Sequence, residues 1–431
     1  MRIVIVTYNW PPRNAIGTHR PYSWAKYWSS WGAEVIVLTA VKRNFDNPLD
    51  LDLPIIEGVK VIEVPFSNLN MDLETAGKIS TVITKRLLPF LKKIKKLLGD
   101  KLGLVIDARD GWYRSARLTA ETLALNADIV VSTHGPRASH LIASHMKLHN
   151  PNLHWVADYR DLWSDNHLSY ISSRARIKER KLELSTVGKN ADSVSTVSNE
   201  LASDLSGLLR KKVDVVLNGF DISDDQLKVN LNFPKNKFQN HKIRILYTGL
   251  IYPGFRDPTP LFLAISNLYA KGLISSSDVS VDFYGDHQDE LSLLITRLNV
   301  ESFVTLRGYV KRDVALQLQK NADFLLLLES SDPKAKGVLT GKLFEYLASG
   351  TPIISLGSGP DSAIARVLNY CRSGICLGKD VDLIEKTLLH SLGSSLPHWF
   401  SPDFNKIIEF SRESQAKIMF NIINKSFLIK V

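Results

Sequence analysis

The chain has 431 residues, of which 44% are hydrophobic and 23% charged, the composition of a globular protein with real cores and room for two domains. Its net charge is +10, and residues 1–220 hold 30 Lys+Arg against 22 Asp+Glu while the remainder holds 24 against 22, so an acidic partner is expected to meet the N-terminal half. The only two cysteines, Cys371 and Cys376, exclude a disulfide framework and read as reduced and buried, no His or Cys cluster completes a metal site, and neither a signal peptide nor an 18-residue apolar span is visible; the expectation is a cytoplasmic chain without metal or cofactor.

Short apolar runs alternate with helical patterns along the first half. Residues 2–8 (RIVIVTY) read as a strand, 19–32 as a helix stopped by Gly32, and 34–40 (EVIVLTA) as the next strand. Runs such as IVIV suit the middle of a parallel sheet covered on both faces. Strands follow at 59–65, 128–134, 154–160, 193–198 and 213–219, with helices at 136–148 and 172–190. Right-handed crossovers make this a doubly wound sheet. The polar stretch 221–240 reads as a linker between a first domain, 1–220, and a second, 241–402. In the second, strands are expected at 242–249, 279–286, 303–309, 322–328 and 351–357, and helices near 258–271, 287–298, 311–320 and 341–349. Residues 403–425 read as one long helix, and 403–431 are expected to pack back on the first domain.

Two segments carry chemistry. The first is residues 340–354, TGKLFEYLASGTPII. Thr340 and Gly341 open a helix whose N-terminal N–H groups and positive dipole end suit a phosphate. Lys342 stands in the first turn, where a cation is unfavourable unless an anion joins it. Glu345, one turn on, is placed to accept hydrogen bonds from ribose hydroxyls. The same residues would also suit an ordinary helix with an exposed Lys and Glu. The second segment is residues 78–101, with eight Lys/Arg and one acid interleaved with leucines. It reads either as a basic amphipathic element for an anionic membrane surface, with Lys92, Lys93, Lys95 and Lys96 at its centre, or as a helix with its leucines on the sheet and its lysines in water. Pro89 would kink it. No nucleic-acid motif accompanies it.

Residues 340–352 resemble the donor site of the GT-B glycosyltransferases, specifically the large retaining group called family 4. The resemblance implies an α/β fold of two Rossmann-like, doubly wound domains facing a central cleft. It covers most of the chain. In the family's Glu-x7-Glu motif, Glu345 matches the second, ribose-binding Glu; the first falls at Gly337, and Glu329 lies at the wrong spacing. Gly17, in the loop of YNWPPRNAIGTHR, matches the glycine that lets backbone approach the donor phosphates. His134 matches an acceptor-side His near the transferred sugar, although a lone His is as readily structural. Arg160 and Asp161, in DYRDLW, match residues lining the cleft, and Asn218-Gly219 matches the hinge turn. Gly249 matches the glycine opening the second domain. The Arg and Lys that follow it in the family are Leu250 and Phe255 here, with Arg256 adjacent. Gly285, Gly308 and Tyr309 match the loops at the nucleotide base.

What the resemblance implies is a retaining transfer from a nucleotide sugar, expected to be a UDP-sugar, to a glycan or lipid-linked acceptor in cell-surface polysaccharide synthesis. Lys342, Arg256, the Gly17 loop and the amides of 340–342 would neutralise the departing diphosphate without a metal. Location at the inner face of the membrane follows from the basic segment. A non-catalytic nucleotide-sugar-binding protein and a nucleotide-sugar epimerase on the same fold are the alternatives; Gly337 favours the first, and the basic segment opposes the second.

Overall fold

The computed structural model describes residues 1–66, 103–105, 107–166, 171–232, 242–251, 256–285, 289–330, 332, 337, 339–392 and 396–428. The basic segment and its lysines, and Phe255, lie outside the described residues. The chain divides into two compact units, Met1–Leu217 with Ala416–Val431, and Asn218–Gln415.

The first unit is built on seven parallel strands: β1 (Arg2–Val6), β2 (Glu34–Ala40), β3 (Lys60–Val64), β4 (Ile129–Thr133), β5 (His154–Tyr159), β6 (Ser193–Thr196) and β7 (Val213–Val215), in the order β3-β2-β1-β4-β5-β6-β7. Register pairs Val4 with Ile36 on one side and with Val130 on the other. Residues 3–6 are fully buried, as a central strand covered on both faces requires. The helices are α1 (Ile16–Ser30), α2 (Asp110–Ala124), α3 (Ala138–His149), α4 (Ser173–Glu183) and α5 (Asn199–Leu209). No element is expected from sequence at α2. Its buried positions are Trp112, Ala116, Ala120 and Ala124, a stripe of small side chains with no large apolar signal beyond its one tryptophan. A second core joins Trp24 and Trp28 of α1 to Val35 and Val37 of β2, with Ala416, Met419 and Ile423 from the end of the chain. The Trp28 indole N–H donates to the Ala416 carbonyl at 3.1 Å.

The second unit carries six parallel strands: β8 (Ile243–Thr248), β9 (Val279–Tyr284), β10 (Val304–Gly308), β11 (Phe324–Leu328), β12 (Ile353–Leu356) and β13 (Gly374–Gly378), ordered β10-β9-β8-β11-β12-β13. Its helices are α6 (Asp224–Leu231), α7 (Thr259–Ala270), α8 (Asp289–Arg297), α9 (Arg312–Asn321), α10 (Gly341–Ser349), α11 (Ala363–Cys371) and α12 (Val381–Leu392).

Two expectations need correction. Part of the supposed linker is helix α6. Ser223 caps it by accepting from the Gln226 amide, Leu227 and Asn230 are buried, and Asn230 Nδ2 donates to the Ala348 carbonyl at 2.7 Å. The single helix from residue 403 is instead α13 (Phe404–Ile407), a 3-10 turn over Ile408–Phe410, and α14 (Arg412–Leu428). The interruption frees backbone: Phe220 N–H donates to the Phe410 carbonyl, and Arg412 N–H to the Phe220 carbonyl. Gly219 lies so close that a Cβ there would fall 2.5 Å from the Phe410 oxygen.

Candidate active site

In the second unit the functional candidates meet at the carboxyl ends of β8, β9, β10 and β11, where ligands of parallel α/β sheets bind. Apolar strand interiors fix the sheet, and glycines follow where the strands end. Gly249 and Gly285 both hold left-handed backbone, with φ of +126° and +145°. They are packed backbone to backbone: a Cβ on Gly285 would fall 2.2 Å from the Gly249 oxygen. Gly249 in turn leaves room for Lys342, whose Cε and Nζ lie 2.2 and 2.4 Å from where its Cβ would stand. A side chain at either glycine would displace the lysine or the loop.

Lys342 is the centre of this arrangement. It sits in the first turn of α10, whose N-cap is Thr340. Its ammonium donates to the Tyr247 hydroxyl at 2.8 Å and lies 4.4 Å from the centre of that ring. Among the described residues no carboxylate comes within salt-bridge reach of it. Burial holds its pKa well below the ordinary lysine value, and the nearby Arg256 adds to the effect against the pull of Glu329 and Glu345. The Tyr247 hydroxyl and Arg256 Nη1 both donate to the Leu250 carbonyl, each at 2.8 Å. Arg256 is thereby fixed at the same strand end, although it stands six residues beyond Leu250.

The Thr340 hydroxyl does not cap its own helix. It donates to Glu329 Oε1 at 3.3 Å. Glu329, one residue beyond β11, is 7% exposed, and burial pushes its carboxyl up to about 7 against the opposing influence of Arg256 and Lys342. A cleft of about 350 Å³ opens beside Glu329 and Arg256, with Thr259, Arg297, Gly357 and Lys379 also in its wall. The spacing rule passes over Glu329; its position immediately after a fully apolar strand was the available signal.

Glu345 accepts from Arg312 Nη2 at 2.7 Å and from its Nε at 3.3 Å, both onto Oε1. Arg312, first residue of α9, is an orienting group the sequence did not announce. Gly308 (φ +72°) has open space where a Cβ would stand, and Tyr309 beside it is 57% exposed. Gly337, at the position of the expected glutamate, is buried.

In the first unit the candidates group around Arg160. Gly17, second residue of α1, lies against its guanidinium: a Cβ there would fall 1.7 Å from Nη1. Gly135 faces the other side, its Cβ position 2.6 Å from Nη2. Arg160 donates from Nε and Nη2 to the His134 carbonyl at 3.3 and 3.2 Å. The absent side chain at Gly17 therefore makes room for an arginine at a helix N-terminus. Asp161 follows at the surface side, half-buried. The His134 ring is buried in an aromatic cluster, stacked 5.8 Å from both Tyr159 and Trp163. Burial first, and then the neighbouring His140 and Arg160, drive its pKa well below the ordinary value, so the ring is neutral. It is the His134 carbonyl, not the ring, that meets Arg160. Of the charges in DYRDLW, Asp158 pairs with Arg20, not Arg160: Arg20 Nη2 and Nε reach its two oxygens at 2.7 and 3.0 Å in a fully buried fork.

No family model matches the chain, and no curated protein matches it. Among solved structures it is similar to the sucrose-phosphate synthase of Thermosynechococcus elongatus, with a TM-score of 0.63 at 14% identity over 99% of both chains. The lipopolysaccharide outer core galactosyltransferase WaaB in its apo form aligns with a TM-score of 0.59 at 16% identity over 99% of both chains. TarM of S. aureus, solved as a G117R mutant with Fondaparinux, alpha-GlcNAc-glycerol and UDP, aligns with a TM-score of 0.56 at 12% identity over 98% of this chain and 99% of that one. Two parallel sheets of seven and six strands, each flanked by helices and matched along nearly the whole chain by GT-B glycosyltransferases, give this protein the GT-B fold.

Proposed function

We propose that the chain is a retaining glycosyltransferase of the family 4 type, which moves a sugar from a UDP-sugar to a glycan or lipid-linked acceptor in cell-surface polysaccharide synthesis. The observation that carries this is Lys342: a buried ammonium in the first turn of α10, held on a phenol rather than a carboxylate, with Arg256 brought to the same strand end. A dry cation beside helix N–H groups gains most from a diphosphate, and gains more as that diphosphate leaves with increased charge. Lys342 and Arg256 thus stabilise the leaving group. Thr340 and the Gly341 amide border it, and Gly249 and Gly285 let it approach the backbone. Glu345, fixed by Arg312, offers its second oxygen to ribose hydroxyls, and Gly308 and Tyr309 border the base. In the first unit, Arg160 beside Gly17 is the cation offered to the acceptor, with Asp161 next to it.

UDP as the nucleotide carrier is supported by its presence in the TarM complex, and a surface glycan as product by the likeness to WaaB, a lipopolysaccharide outer core galactosyltransferase. The basic stretch 78–101 supports an acceptor at an anionic membrane face. The test uses the full chain and a panel of nucleotide sugars, read first by thermal shift and then by donor consumption with and without membrane extract as acceptor. Stabilisation by a UDP-sugar and release of UDP on transfer are expected. Absence of stabilisation by every donor overturns the reading. Donor binding with zero turnover selects a non-catalytic nucleotide-sugar-binding protein, which Gly337 favours, and release of free epimerised donor selects an epimerase.

A further inference from the structure

A second concentration of positive charge lies in the first unit, at the carboxyl ends of β1, β2 and β3. Its centre is Tyr8, fully buried just beyond β1. Arg13 Cζ, Lys42 Nζ and Arg109 Cζ stand 5.6, 5.4 and 5.8 Å from the centre of the Tyr8 ring. Arg43 lies 4.7 Å from the centre of Phe66, which packs edge-on against Tyr8. Three separate segments supply these cations: the loop after β1, the loop after β2 and the start of α2.

Among the described residues, the carboxylates facing them are Asp46, Asp107 and Glu63. Asp46 accepts from the Tyr8 hydroxyl at 2.9 Å and from the Arg43 amide at 3.0 Å, and meets Arg13 only loosely, at 3.4 Å. Asp107 is held in a fork by Arg109, at 2.8 and 2.6 Å. Glu63 acts on Lys42 from the exposed edge of β3. The Lys42 ammonium itself donates to neutral oxygens, those of Thr39 and Ala40. Burial lowers it to about 8, with Arg13 adding to the effect against Glu63 and Asp46. Among the described residues, four cations stand against two paired carboxylates and one exposed one, an excess of positive charge. Assembling like charges in a partly buried site is unfavourable unless an anion completes it. Guanidinium forks with a lysine are the groups that bind phosphate oxygens best.

We propose that the cations around Tyr8 — Arg13, Lys42, Arg43 and Arg109 — form a subsite for a phosphate or diphosphate group carried by the acceptor. The word acceptor rests on the glycosyltransferase reading; the binding of phosphate does not. The subsite narrows the acceptor class to phosphorylated molecules, either a soluble sugar phosphate or the diphosphate head of a lipid carrier.

The experiment is calorimetric titration of the full chain, saturated with UDP so that the phosphate site of the second unit is filled. Glucose 6-phosphate is compared with glucose, and geranyl diphosphate with geraniol. At least one phosphorylated probe is expected to bind about tenfold or more tightly than its neutral partner, the scale of a charge-assisted hydrogen bond or two. That preference is expected to collapse in a Lys42→Gln/Arg109→Gln double variant and to weaken with added salt. Lys42→Gln alone, a milder change at a half-buried side chain, reads the same loss if the double variant misfolds. Whichever probe wins distinguishes the soluble from the lipid-borne source. Equal binding of charged and neutral probes overturns the proposal, and so does a preference that both variants retain. Failure of the wild type to bind UDP counts against the donor site instead, and leaves the phosphate comparison to be read without it.

Discussion

Arg20 of the first unit and Lys342 of the second hold their buried charge in opposite ways. In the first, Arg20 is locked to Asp158 by two hydrogen bonds, with Ser195 donating to the same carboxylate and the Leu217 carbonyl taking another arginine N–H. Arg137 is likewise held by Asp110 and Glu179. In the second, Lys342 rests on a phenol and a ring, and the nearby Glu329 is itself pushed towards its neutral form. A fully buried cation such as Arg20, forked by a carboxylate and closed off from solvent, is satisfied before any ligand arrives, and its role is to hold strands together. A buried cation without one keeps its charge for something else. On the proposed function, the difference separates structural from functional ionisable groups at comparable burial.

The comparison breaks if removing each cation has the same consequence. Arg20→Ala is expected to destabilise the protein by about 3–5 kcal/mol, because Asp158 is left charged and unpaired in the core. Chemical denaturation measures it; a loss below about 1 kcal/mol, the scale of an exposed pair, would mean the fork is not what it looks like. Lys342→Ala is expected to do the reverse. Its melting temperature should move little, while turnover of the donor falls by about 10²–10³, the cost of one missing donor to a developing negative charge. Wild-type turnover in that variant would remove Lys342 from the phosphate site.

Much of this architecture was legible from apolar runs, because a parallel strand buried on both faces has no other way to read. Strand β2 falls where its sequence places it, and Gly350, left-handed at φ +68°, stops α10 as a C-terminal glycine should. What escaped did so for identifiable reasons. Helix α2 buries alanines, which carry little hydropathy signal. Strand β13, GICLG, begins and ends on glycine, and no strand is expected there from sequence. Helix α6 is polar on most faces and is held through Asn230 by a long-range hydrogen bond that no local pattern contains. At the site, Lys342 and Glu345 were visible as a motif, whereas Arg312, Arg20 and the setting of Glu329 depend on which strands lie side by side. The role of Gly17 was half visible: the need for a missing Cβ could be read, but its neighbour, Arg160, comes from a strand 143 positions later and could not.

Glu329 sharpens the comparison further, through pH. Its carboxyl is raised in the folded protein to about 7 from the ordinary glutamate value of 4.5, chiefly by burial. Between those two pH values the unfolded chain has released the proton that the folded chain still holds. The folded state therefore binds more protons, and stability falls as pH rises from about 4.5 to about 7, then levels off. The cost at the upper end is on the order of 3 kcal/mol. Glu329→Gln keeps the shape and the hydrogen bond from Thr340 but cannot ionise. It is expected to match the wild type at pH 5 and to exceed it in stability at pH 8, with the slope between them reduced. Urea midpoints collected across that range decide it. Parallel slopes for the two proteins would mean that Lys342 and Arg256 already hold Glu329 as a carboxylate, and Lys342 would then be matched by a buried carboxylate as Arg20 is.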